Sequence, residues 1–364
     1  MRRMDVLMTG PYGRVGSALR RQLHDRDEYD FTYLDVQDHP DHDTVVADAT
    51  DYYAIRRAFE GQDAVVYLVA LSPLFKPSGG YERHYDVHLG GTENAVRAAK
   101  EHGVEKYVQM SALGADPNAD TAYIRSKGEA DRVVRESGLD WTIFQPSVIF
   151  GEGDEFVGFT KLLAPPYFTP LPGGGKSEFQ PIWIGDLVKL FAMAVEGTVP
   201  ETEGAEAATE GAEGHEAEGA EGVEEDGAAE EDDEDTPEAE EDEAAEADEE
   251  AEEDGADADP HVGQVYEIGG PEVLTLAEVA RLAHAAEGKP VNVYSVPMPL
   301  AGVGLKLLDN VPGAPFGGDQ YRSLQFDNVT QDNDIDVFGF EPEDLTTLAE
   351  YLGVDPAAAE PGRA

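Results

Sequence analysis

Cysteine is absent from this 364-residue chain, which rules out disulfides, thiolate metal sites and a thiol nucleophile. Basic residues are scarce. Only 25 Lys and Arg stand against 77 Asp and Glu, for a formal net charge of −52. So negative a surface repels nucleic acid and anionic membranes, and neither is expected as a partner. No apolar run approaches the roughly 18 residues of a membrane span. The stretch after Arg2-Arg3 is short and holds Asp5 and Thr9, unlike a secretory signal. The expected setting is therefore cytoplasmic, without membrane insertion. No metal site is expected either, because His39-Pro40-Asp41-His42-Asp43 reads as a solvated turn.

Large apolar residues are almost missing from residues 201 to 260, which hold 31 Asp and Glu and no Lys or Arg. Such a segment cannot bury enough surface to offset the entropy of ordering, and a disordered, solvated loop is expected over 200–260. Apolar patterning resumes on both sides, so the segment reads as an insert within one fold, tolerated because closure entropy grows slowly with loop length.

The richest signal lies at the start. Asp5 to Thr9 is a short apolar strand, and Gly10-Pro11-Tyr12-Gly13-Arg14-Val15-Gly16 is a glycine turn leading into an amphipathic helix that runs to about Arg26. Gly10 permits a turn that a side chain would forbid, Gly13 permits close approach to a pyrophosphate, and Gly16 permits tight helix packing. The unpaired amides of the helix N-terminus would face the phosphates. Phe31 to Asp35 then reads as a strand ending in a carboxylate about twenty residues beyond the glycines, placed for a ribose 2′-hydroxyl. Asp35 favours NAD(H), while Arg14 leaves NADP(H) open. Thr44 to Asp48 reads as a third strand, with Asp48 placed for the adenine amino group or as a strand-end cap. Ala64 to Ala70 is continuously apolar, as a parallel strand covered on both faces should be. A helix from about Tyr85 to His102 and a strand Lys106 to Met110 ending at Ser111 follow. This alternation predicts right-handed crossovers and a doubly wound sheet whose crevice lies at the strands' carboxyl ends.

Tyr123 and Lys127 stand four residues apart, on one face of a helix. A cation beside a phenol favours the phenolate, so Tyr123 is the candidate acid-base group, Lys127 its electrostatic partner and holder of the coenzyme ribose, and Ser111 a candidate oxyanion donor.

These features run in the order of a known family. Thr9 to Gly16, Gly91-Thr92-Glu93-Asn94, Ser111 to Ala115, Tyr123 to Lys127, Gln145 to Gly151, Phe179 to Asp186 and Tyr266 to Pro271 resemble the extended or atypical short-chain dehydrogenases/reductases (NAD-dependent epimerase/dehydratase family). Within them the chain most resembles the subgroup that includes the accessory, cofactor-binding subunit of respiratory complex I. At the matching positions the resemblance implies coenzyme contacts from Gly10, Tyr12, Gly13, Arg14, Val15, Gly16, Asp35, Asp48, Ala49, Val69, Ala70, Met110, Lys127 and Pro146. It also implies Tyr-Lys chemistry on a small hydroxyl or carbonyl compound or, alternatively, a subunit that holds coenzyme without turnover. An oligomer is open. The chain departs from the family at Gln145-Pro146, where Arg-Pro is usual, at His88, where Asn is usual, and at Val69-Ala70, where Asn-Ala is common. Ser111 also precedes Tyr123 by only twelve positions, closer than in sugar epimerases.

The expected architecture is thus α/β: an NAD(P)-binding Rossmann domain over 1–150, with 151–199 and 261–356 completing the core and adding a small C-terminal α+β subdomain on the substrate side. Gly151 to Pro181 would cover the crevice, Gly185-Asp186 would open a helix with Asp186 as cap or anchor, and Thr275 with Glu278 would cap another. Val291 to Val296, Pro297 to Leu308 and Leu345 to Leu352 would complete the subdomain. Without the insert the net charge is still −21, which points to adaptation to concentrated salt, where screening tames carboxylate repulsion. Removing salt should therefore cost secondary structure. Circular dichroism unchanged between molar and millimolar salt would contradict that reading.

Overall fold

The computed structural model describes residues 2–24, 26–153, 155–199, 259–299, 318–323 and 325–361. Strand β1 (Met4–Thr9) leads through the glycine turn into α1 (Arg14–Leu23), followed by β2 (Tyr29–Asp35), β3 (Thr44–Val46), α2 (Tyr52–Ile55) and β4 (Ala64–Tyr67). Helix α3 (Glu82–His84) continues through a π-helical turn, Tyr85–Gly90, into α4 (Gly91–His102), and then come β5 (Lys106–Met110), α5 (Ala122–Arg135) and β6 (Asp140–Pro146). With the later strand Gln264–Ile268 they form a seven-stranded parallel sheet in the order Gln264–Ile268, β6, β5, β4, β1, β2, β3. The chain order reverses between β1 and β4, which opens a crevice at their carboxyl ends.

Side-chain alternation builds two cores. Val6, Met8, Val66, Val108 and Phe144 point to one face, where Leu19 of α1 and Phe191 of the helix Ile184–Glu196 cover them. Leu7, Val65, Tyr67, Tyr107 and Ile143 point to the other, under α4 and α5. Both faces are dry, which is why β4 is fully apolar. A third cluster of Phe150, Phe156, Phe179, Leu274, Leu282 and Leu348 forms the core of the smaller C-terminal portion. There the strand Thr169–Pro172 pairs in parallel with Val293–Val296.

Several boundaries differ from expectation. β3 and β4 end at Val46 and Tyr67, short of the expected Asp48 and Ala70. α1 stops at Leu23, where the chain turns back with Arg26 N–H on Leu23 O at 3.2 Å. Asp186 is an anchor and not a cap. It is buried and its oxygens accept from Lys189 Nζ and Thr346 N–H, both at 2.8 Å, while Trp183 occupies the N-cap. The Thr275–Glu278 capping box is present. The expected insert falls outside the described residues except for Asp259 and Pro260, and the expected segment 297–308 falls outside them from 300 onward. Both flanks of the insert belong to one unit. Buried His261 joins them, with Nε2 against Thr198 O at 2.8 Å and Nδ1 against the Tyr266 hydroxyl at 2.9 Å.

The glycine turn is held by near-contact. Gly10 has φ +70°, and a Cβ on Gly16 would lie 2.2 Å from Gly10 O and 2.8 Å from Pro11 Cα. Gly16→Ala should therefore cost about 1–3 kcal/mol, the usual price of overpacking. Gly13, at φ −64°, would place a Cβ 3.3 Å from Gly10 O, a tight contact that needs a shift of only a few tenths of an ångström. Gly13→Ala should cost less stability than Gly16→Ala while weakening NADH binding in a fluorescence titration. Equal effects of the two substitutions on melting temperature would refute this separation.

Candidate active site

A cavity of about 780 Å³ opens at the carboxyl ends of β1, β4, β5 and β6. Gly10, Tyr12, Gly13, Arg14, Val15, Gly16, Ala70, Met110, Ser111, Tyr123 and Pro146 all line it, whereas Asp35, Asp48, Ala49, Val69 and Lys127 lie outside the lining. At its nucleotide end, α1 begins at Gly13 without a side-chain cap, so its first amides are open toward the cavity end of the turn. That cradle fits a diphosphate, since the backbone is bare and the helix dipole favours an anion.

Beside it, Asp35 Oδ2 accepts from Tyr12 N–H at 3.4 Å and Oδ1 from Gln37 N–H at 3.1 Å. The Tyr12 ring stacks on His39 at 4.6 Å, its hydroxyl bonds Thr44 Oγ1, and the Arg20 guanidinium lies 5.5 Å from its centroid. In the 39–43 turn Pro40, Asp41 and Asp43 are exposed, while the rings of His39 and His42 pack on Tyr12 and Tyr33. Exposed Asp48 accepts from Thr50 N–H at 2.9 Å, and Ala49 O accepts from Asn94 Nδ2 at 2.9 Å. Arg14 ion-pairs with Glu155 at 3.4 Å, and Ser72 Oγ donates to the same carboxylate. That ties the start of the helix Glu155–Leu163 across the mouth of the cavity.

Helix α5 carries the candidate chemistry. Thr121 caps it, accepting from Ile124 N–H at 3.3 Å, and a Cβ on Gly128 would lie 2.4 Å from Asp116 C, so the cavity-lining loop after β5 presses on its middle. Tyr123 sits partly buried between two buried imidazoles, His84 and His88, whose rings stand edge-on to it at 5.5 and 5.2 Å. His88 lies in the π-helical turn. Its Nε2 accepts from Leu71 N–H at 3.0 Å, so Nδ1 carries the proton toward Ser126 Oγ at 2.9 Å. Burial keeps both imidazoles neutral, with His84 lowered to about 4 and His88 well below its ordinary value.

Two expectations change here. Burial, and then the Asp131 charge, push the Tyr123 phenol above its ordinary value, and the cation that opposes them is Arg14, not Lys127. Lys127 is buried, donates from Nζ to Met110 O at 2.9 Å and is lowered to about 8 by burial, against the attraction of Asp131. Ser111 is not poised as an oxyanion donor either. Its Oγ donates to Asp131 Oδ2 at 2.8 Å, beside Gln145 Nε2 at 2.9 Å, while Gln109 Nε2 donates to Oδ1 at 3.0 Å. Asp131 was missed, although its spacing of four from Lys127 and eight from Tyr123 places it on the same face of α5. Glu155, Ser72 and Asn328 were missed because no local pattern marks them.

Residues 10–159 match the family described as NAD(P)H-binding. The chain is 23% identical over 252 residues to NADH dehydrogenase (ubiquinone) 1 alpha subcomplex subunit 9, mitochondrial, of Arabidopsis thaliana, covering 66% of this chain and 48% of that protein. It is 27% identical over 230 residues to 3 beta-hydroxysteroid dehydrogenase/Delta 5-->4-isomerase of Mycobacterium tuberculosis, covering 54% and 61%. The chain spans about half the length of the first of these relatives. Among solved structures it shares its fold with UDP-glucose 4-epimerase of Thermotoga maritima with UDP-glucose, at TM-score 0.61, 15% identity and 98% coverage of both chains. MoeE5 in complex with UDP-glucuronic acid and NAD gives 0.59, 17%, and coverage of 97% and 98%. No helix among the described residues is long and apolar enough to cross a membrane.

The Lys127 shift has a defined pH signature. Between about 8 and the ordinary 10.5 the unfolded chain binds a proton that the folded chain does not, so the buried amine costs increasing stability as pH falls through that window and a constant amount below it. Relative to wild type, Lys127→Met should gain up to about 3 kcal/mol as pH drops from 10.5 to 8. Denaturant titrations giving a pH-independent difference would exclude a depressed Lys127.

Proposed function

Since the chain is an NAD(P)-binding Rossmann protein, we propose that it is an oxidoreductase or epimerase/dehydratase-type enzyme that acts on the hydroxyl or carbonyl group of a small molecule. The observation that carries this reading is the meeting of the glycine turn and Tyr123 on one cavity. When bound, the nicotinamide ring supplies or accepts the hydride. Tyr123 Oη exchanges the proton with the substrate oxygen. Lys127 lies behind the cavity lining and acts as a positioning residue, holding cavity-lining Met110 through its carbonyl at 2.9 Å. Ser111, its proton committed to Asp131, presents lone pairs and so receives a hydrogen bond from a substrate hydroxyl.

The coenzyme assigned is NAD(H). This reading is supported by the Asp35 carboxylate, held beside the glycine turn by Tyr12 N–H, which would repel a 2′-phosphate, while Arg14, the cation that could offset it, is engaged by Glu155.

A second reading is a subunit that holds coenzyme without turnover. It draws on the phenol being raised and not lowered, and on a Ser111 proton turned away from the cavity. One substitution separates the two. Tyr123→Phe should retain NADH binding and lose about 10²-fold or more in turnover across a panel of alcohols and ketones, the scale of a lost general acid-base group. Wild-type protein that binds NADH tightly yet turns over nothing in that panel would establish the second reading.

A further inference from the structure

Beyond the coenzyme cradle the cavity changes character. Leu74, Ile124, Val148 and the half-exposed ring of Phe326 supply an apolar lining. Three carboxylates, Asp120, Glu152 and Asp327, line the cavity without an ion pair among the described residues, and a fourth, Glu155, is paired with Arg14 toward the cradle. Among the described residues one guanidinium, Arg14, lines it, and Glu155 already engages that group. Carboxylates that line one cleft with low-dielectric walls act together on an entering anion. A second diphosphate would enter this half of the cavity against net negative charge.

One polar group there is both fixed and available. Asn328 lines the cavity, and its Oδ1 accepts from Val148 N–H at 3.1 Å and Ser147 Oγ at 2.7 Å. Those two donors set which end of the amide faces the backbone. Nδ2 is left without a hydrogen-bond partner among the described residues, as a donor without a cation's charge. Asn328 is partly buried, and a ligand that covers it discriminates on this contact, because one lacking the acceptor leaves the donor unpaired.

We propose that the substrate is an uncharged, largely apolar alcohol or ketone carrying a second oxygen acceptor, that Asn328 Nδ2 donates to this oxygen, and that nucleoside diphosphate sugars are excluded. The inference rests on the cavity being the substrate site of the enzyme proposed above, but its test needs no turnover. Dissociation constants are measured by thermal shift and fluorescence, with and without saturating NADH, for a bicyclic diketone, its monoketone analogue and UDP-glucose. Wild type should bind the diketone at least about tenfold more tightly than UDP-glucose and about fivefold more tightly than the monoketone, the worth of one neutral hydrogen bond. Asn328→Asp keeps the oxygen that holds Val148 and removes the donor, so it should abolish the diketone advantage and leave NADH binding unchanged.

Binding of UDP-glucose as tight as that of the diketone, no binding of either ketone, or a diketone-to-monoketone ratio unmoved in the variant would overturn the inference. Selective diketone binding without turnover of any alcohol or ketone would overturn the enzyme reading and leave the binding inference standing. Turnover of UDP-sugars in preference to neutral compounds would do the reverse.

Discussion

A single buried carboxylate fixes the geometry of the candidate site. Asp131 projects from α5 onto the sheet and collects Gln109 from β5, Ser111 from the end of that strand and Gln145 from β6. Burying a charge is costly unless donors replace the lost water. Three donors from two adjacent strands do so here, within 3.0 Å, and Lys127 adds attraction from one turn away. The helix can satisfy that set in one register only. A slide of one residue or a rotation of α5 would strand the carboxylate and its donors together, so Tyr123 and Lys127 inherit their places from a contact that neither makes.

The same contact explains an apparent anomaly of sequence. Gln145 stands where the resembled family usually has Arg, and a guanidinium in that place would meet Asp131 as a full ion pair. The neutral amide gives Asp131 one N–H and leaves burial as the dominant influence, raising the carboxyl above its ordinary range. Lys127, with no closer anion, is correspondingly drawn down. Charge has been thinned on both sides of the network, in keeping with a dry interior where each uncompensated charge is expensive.

How much of this was legible in the sequence depended on the range of the interactions. The parallel core showed because a strand covered on both faces must be apolar throughout, as in Ala64–Tyr67, and the crevice showed because glycines with Asp35 have local spacing. The capping box at Thr275 showed for the same reason. Tyr123 and Lys127 were placed correctly on one helical face, but their electrostatics were misjudged. A one-dimensional pattern gives adjacency on a helix, not what desolvates the side chain, and Met110 O and Asp131 take up Lys127 from outside the pair. Glu155 and Asn328 reach the cavity from 32 and 205 positions beyond Tyr123, and nothing in their neighbourhoods marks them.

A chain this acidic must still hold an anionic coenzyme, and the arrangement of the crevice shows how the two are reconciled. At the nucleotide end the attraction is supplied mainly by backbone: the uncapped amides of α1, approached closely because Gly10 and Gly13 carry no side chain, with Arg14 at the first turn and Arg20 one and a half turns on. Backbone dipoles are independent of composition, so a surface rich in Asp and Glu leaves them intact. At the far end, where side chains decide recognition, the carboxylates remain. The cavity is thus graded from anion-accepting to anion-repelling along its length. Such a gradient favours a coenzyme lying with its diphosphate at the glycine turn and its uncharged amide toward Tyr123, and it works against the reversed pose.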